Sequence, residues 1–146
     1  MQETAEQPAD AATRSLAERL RITVGRFVRS VRQEAETPTT SQSETLHLLD
    51  ASGPLSVAEL ASQRHVRHQS MRLVTAQLEA EGLVEKLPNP ADGRSSLLSV
   101  TVKGRETLAA ARSARTSRIA ALIGDRLTEE ERQTLEDAIT IIDRLS

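Results

Sequence analysis

Apolar residues fall at three- and four-residue intervals along Leu16, Leu20, Val24, Phe27, Val28 and Val31, which is the spacing of one helix face. The pattern predicts a helix from about Thr13 to about Glu36, stopped by Thr37-Pro38-Thr39-Thr40. A second helix is expected from about Ser41 to Ala51, turning Leu46 and Leu49 inward and ending at Ser52-Gly53-Pro54. A short third helix is marked by Ser56 and Glu59, a capping box in which each side chain accepts from the other residue's backbone N–H, with Val57, Leu60 and Ala61 on its buried side. The fourth should run from about Arg67 to about Glu81, because Met71, Val74 and Leu78 share a face and Gly82 supplies a terminator.

From Leu83 the period changes. Leu83, Val84 and Leu87 lead into Asn89-Pro90-Ala91-Asp92-Gly93-Arg94, and Leu98-Ser99-Val100-Thr101-Val102 alternates, so the two arms form a hairpin around a turn-rich tip. Lys103 onward is helical again, with Leu108, Ala111, Ile119, Leu122 and Ile123 as its apolar members and an end near Gly124. Thr128 and Glu131 form a second capping box, and Leu135, Ala138, Ile139, Ile142 and Leu145 give a last amphipathic helix. Two short helices followed by a hairpin, in that order, present a helix and a wing to duplex DNA. The expected fold is therefore mainly α with a small β wing, a winged helix-turn-helix flanked by N- and C-terminal helices.

Composition narrows this further. The 146 residues fit one compact unit whose apolar side chains are mostly Leu, Ala, Val and Ile, with a single Phe and neither Trp nor Tyr. An aliphatic helical core follows, thin enough that a partner subunit is expected to complete it. Residues 13–36 and 103–146 are assigned to holding a homodimer, residues 39–102 to reading DNA, and residues 1–12 to a disordered tail.

The formal net charge of -2 looks unsuited to nucleic acid until its distribution is read. Acid gathers near the two ends, whereas Gln63 to Gln77 holds Arg64, Arg67, Arg72, His65 and His68 and no carboxylate. Arg67 and Arg72 can pair with phosphates or bidentately with guanine, Gln69 with adenine, and His68 can do either. Ser70 can contact a phosphate or cap the helix locally. In the hairpin, Arg94 can reach into a narrow minor groove, and Asp92, which phosphates would repel, serves better to orient an arginine. Arg64 and Lys86 are further cations available to the backbone. For each of these the plainer alternative is a solvated surface side chain.

The segments Leu78-Glu-Ala-Glu-Gly-Leu-Val84 and Asn89-Pro-Ala-Asp-Gly-Arg94, with Thr101 and Gly104-Arg105, resemble the MarR family of bacterial transcriptional regulators over nearly the whole chain. The resemblance implies a homodimer with intertwined terminal helices, a recognition helix in the major groove and a wing in the minor groove. It also implies a small anionic or aromatic effector in the cleft between the dimerisation helices and the reader, for which Arg21, Arg26 and His47 are the polar candidates. Three positions depart from the family pattern: Leu73 and Gly93 stand where arginine is frequent, and Leu97 where a second basic wing residue is common. Fewer wing cations predict a shallower dependence of binding on salt.

Other classes receive little support. With no cysteine there is neither a disulfide nor a thiol switch, and no phosphate-cradling loop or paired-acid motif suggests an enzyme. No cofactor is implied, and His65 and His68 sit beside Arg64 and Arg67, a cationic setting that disfavours a divalent metal. No apolar run is long enough to span a membrane and the first ten residues are acidic, so a cytoplasmic location is expected. The rival reading is a winged-helix module that binds protein instead of DNA, in which an exposed Leu73 would be a contact.

Overall fold

The computed structural model describes residues 10–37 and 39–146. Its elements are α1 (Ala11–Glu34), α2 (Ser41–Ser52), β1 (Leu55–Ser56), α3 (Val57–Gln63), α4 (His68–Ala80), β2 (Val84–Pro88), β3 (Ser96–Val100), α5 (Val102–Arg126) and α6 (Glu129–Asp143). The first helix starts earlier than its apolar stripe predicts. Asp10 accepts from the Thr13 backbone N–H at 2.7 Å and caps it, so residues 10–12 belong to the helix start rather than to a disordered tail; residues 1–9 of that tail lie outside the described residues. At the other end, Glu36 takes a left-handed φ of 54°, and the Thr37 N–H donates to the Arg32 carbonyl at 2.7 Å. This closure ends α1 before the proline expected to stop it; Pro38 itself lies outside the described residues.

The reader is built from α2, α3, α4 and an antiparallel sheet of order β1-β3-β2. Five residue pairs from Val84↔Val100 to Pro88↔Ser96 make the hairpin, and Leu55↔Leu98 and Ser56↔Leu97 add β1 to its far side. That third strand is absent from the sequence expectation. Leu46, Leu49, Leu60, Met71, Leu78, Leu98 and Val100 fill the space between helices and sheet. Both predicted capping boxes are present, at Ser56/Glu59 and Thr128/Glu131.

The turn between α3 and α4 rests on His65, whose φ is 53°. Its N–H donates to Ser62, and the following Val66 N–H donates to Ala61 at 3.0 Å, closing α3 with a left-handed residue where glycine is usual. Gly82, at φ 73°, ends α4 in the same manner, with the Leu83 N–H on the Leu78 carbonyl. Immediately beyond, the start of α5 sits on the end of α4. The Thr101 hydroxyl donates to the Gly82 carbonyl at 2.6 Å and the Lys103 ammonium to that of Glu81 at 2.8 Å. Gly104 passes so close to Leu83 that a Cβ there would stand 2.2 Å from its carbonyl oxygen.

The terminal helices are packed differently. Val31 alone is buried on α1, and no residue is buried on α6. Leu16, Phe27, Ile139 and Ile142 remain exposed although they belong to clear apolar stripes. An ion pair between Glu34 and Arg118 joins α1 to α5.

Candidate nucleic-acid interface

Met71, Thr75 and Leu78 turn into the core from α4, which leaves the opposite side of that helix free. Arg67, His68, Gln69, Ser70 and Arg72 are all exposed there or at its first turn. Arg67 is the N-cap residue but its side chain makes no capping bond. The first N–H groups of α4 thus lack a side-chain acceptor, a setting that suits an anion.

Across an open cleft of about 650 Å³ lies the wing. Its tip is shaped by short side chains. Asn89 Oδ1 accepts from the Ala91 N–H at 3.0 Å, Asn89 Nδ2 donates to Ser95 Oγ at 2.9 Å, and Asp92 Oδ1 accepts from the Arg94 N–H at 2.9 Å. Asp92 therefore orients Arg94 through its backbone, and the Arg94 side chain projects exposed from a tip fixed beneath it. His68, Arg72, Lys86 and Arg94 line the cleft together with the carboxylates of Glu59, Glu79 and Asp92. Lys86 stands 3.5 Å from Glu79, an exposed pair that leaves the ammonium accessible.

Arg64, expected as a backbone cation, is engaged within the chain. Its Nη1 donates to the Ser41 carbonyl, the Ser41 hydroxyl and Thr45 Oγ1, each at 2.9 Å, and Nη2 pairs with Glu44. With its side chain only 14% exposed, this guanidinium ties the end of α3 to α2 and is largely committed within the reader. Thr45, fully buried, passes its own proton to the Ser41 carbonyl at 2.7 Å and completes the clamp.

A second cleft, of about 280 Å³, opens between α1, α2 and α5. Of the three residues expected to meet an effector, only His47 lines it. Arg21 is paired with Glu18 at 2.7 Å, Arg26 is exposed further along α1, and neither reaches the cleft. Its cations are instead Arg32 and Arg115. Burial, and then the charges of Arg115, Arg32 and Arg112, hold the His47 imidazole below its ordinary pKa, with Asp50 opposing them. Arg112 and Arg115 sit on α5, far from His47 in sequence, which is why spacing did not reveal them.

No group of three or more His, Asp and Glu side chains among the described residues could hold a metal ion. No helix among them is long and apolar enough to cross a membrane.

This arrangement has known counterparts. The MarR family model matches residues 39–96, the reader from just before α2 to the start of β3. An HTH-type transcriptional regulator of Mycobacterium bovis is 35% identical over 129 residues, covering 87% of this chain and 90% of that protein. A transcriptional regulator of Pseudomonas aeruginosa superposes with a TM-score of 0.77 at 26% identity, over 94% of this chain and 97% of that one. A MepR variant of Staphylococcus aureus, solved bound to an oligodeoxyribonucleotide, shares the fold with a TM-score of 0.64 at 18% identity, over 92% of this chain and 98% of that one. With the reader matched and a relative aligned along most of both chains, this protein belongs to the MarR family of transcriptional regulators.

Proposed function

We propose that the chain acts as a cytoplasmic homodimer, repressing transcription by binding a pseudo-palindromic operator with half-sites about one DNA turn apart. The observation that carries this reading is the single cationic side made by α4 and the wing. His68 and Arg72 line the cleft from α4 and Lys86 and Arg94 from the hairpin, with Arg67 exposed at the N-cap of α4. On this reading α4 enters the major groove and Arg94 the adjoining minor groove. A DNA-bound structure with the same fold supports the geometry. The dimer rests on the wet apolar faces of α1 and α6, which are long and continuous where a lone chain would be expected to cover them. Nothing in the reading calls for a catalytic step.

On this reading the effector meets Arg32, His47 and Arg115, where the two guanidinium charges suit a small anion. Release of DNA requires that such a ligand bind better to the arrangement that cannot grip the operator, because equal affinity for both shifts nothing.

Fluorescence anisotropy on the protein's own upstream DNA and on a scrambled duplex, at two salt concentrations, tests the reading. Tight binding to the upstream duplex alone, weakened by salt, is expected. Arg72→Ala and Arg94→Ala should each weaken it about ten-fold, within the range of a lost charged contact. Wild-type affinity in both variants defeats the assignment, and absence of binding to any duplex favours a protein-binding module.

A further inference from the structure

Leu73 is 73% exposed in the middle of α4. It has no part in the core, which Met71, Val74 and Leu78 supply, and it lies about half a turn away from them. Gln69 and Ala76, one turn before and after it, share this outermost ridge, and Ala80 continues it. The cations are placed otherwise: His68 and Arg72 line the cleft with Arg94, whereas Gln69, Leu73 and Ala80 do not, and Ala76, one turn beyond Arg72, borders both.

This division of charge matches the two surfaces of a DNA groove. Phosphates form the walls and attract cations, while the floor is made of base edges without net charge. The side chains on the ridge are neutral, and the alanines let the helix backbone come close to whatever it faces. The major-groove edge displays one apolar group, the C5-methyl of thymine. On the duplex-binding reading above, we infer that Leu73 is a specificity-determining residue that selects thymine through contact with that methyl, beside an amide at Gln69 suited to adenine.

The test begins with selection of a random-sequence duplex pool on the full-length protein, and the enriched duplex is then remade with deoxyuridine at one thymine at a time. Each replacement removes a methyl and leaves the hydrogen-bonding edge unchanged. At one or two thymines in each half-site the wild-type protein is expected to lose affinity about four-fold, the weight of one methyl taken from water. Leu73→Ala, whose exposed position leaves folding untouched, should bind the thymine duplex about as weakly as the wild type binds a duplex with deoxyuridine at the matching thymine of both half-sites, and should lose nothing further on methyl removal. A wild type indifferent to every deoxyuridine overturns the inference while duplex binding stands, as does a Leu73→Ala protein with undiminished methyl sensitivity. A pool that never enriches overturns the duplex-binding reading, and this inference with it.

Discussion

Leu49, Leu60, Met71, Leu78 and Leu98 converge from three helices and a strand and lie almost wholly out of water. Leu16, Phe27, Ile139 and Ile142 are as apolar and as regularly spaced, yet on α1 and α6 they remain substantially wet. The periods of the two regions are alike. What differs is the supply of neighbours: the reader folds back on itself through tight turns at His65 and Gly82 and a hairpin, so every stripe meets another within the chain. The terminal helices run outward with little of the same chain beside them. A hydrophobic period thus marks a face that favours burial, and the connections decide whether that burial is intramolecular.

The contrast can be broken most severely in the reader. Leu60→Ala leaves a cavity among α3, α4 and the sheet and should cost about 2–5 kcal/mol, read from denaturant unfolding followed by far-UV circular dichroism. A loss near zero would mean that the reader's core relaxes as freely as a surface. Ile139→Asp carries the comparison to α6. The side chain is already solvated in one chain, so the isolated fold should tolerate it. Buried between two copies, the carboxylate should weaken association by on the order of 2–4 kcal/mol, and sedimentation at micromolar concentration should show monomers. An unchanged dimer would move the seam away from this face.

A smaller effect is expected from Arg64→Ala. Removing a largely buried guanidinium that holds Ser41, Thr45 and Glu44 should lower stability by about 1–3 kcal/mol. The salt slope of DNA binding should stay the same, whereas loss of one phosphate contact per subunit of a dimer would lower it by about two. A fall in slope without a fall in stability would return Arg64 to the interface.

The smallest expected effect belongs to His47→Gln in the second cleft. Because the folded protein binds a proton at His47 less readily than the unfolded chain, the unfolded state protonates first as pH falls below about 6.5. Stability should therefore decline in that window and level off once pH passes below the lowered folded value, with no contribution at higher pH. The Gln variant should lose this part of the decline. Urea midpoints at pH 7.5 and 5.5 check it, and parallel slopes for both proteins would remove His47 as the source.

Much of the fold was legible because its determinants are local. Ser56 with Glu59, Thr128 with Glu131, and Gly82 after an apolar stripe each fix a helix end within a few residues, and the structure has all three. What escaped depends on distance along the chain. The two residues of β1 are too short to alternate and exist through pairing with Leu98 and Leu97. Arg64 reads as one more cation beside the recognition segment until Ser41 is brought against it. Among the interface candidates, Arg67, His68, Gln69, Ser70, Arg72 and Arg94 are exposed, since their places follow from helix period and turn chemistry. The cleft near His47 did not follow, because Arg32 and Arg115 come together only when α1 and α5 pack.

The seam where α5 begins has a mechanical consequence. Thr101 and Lys103 hold the last carbonyls of α4, and Gly104 leaves less than an atom's width between α5 and Leu83. These contacts tie the start of α5 to the end of α4. In a dimer whose subunits meet through their terminal helices, α5 and α4 would then behave as the shank and jaw of a caliper: a small change in angle between the two shanks resets the gap between the two reading helices, and the spacing of the DNA half-sites becomes the quantity the protein measures.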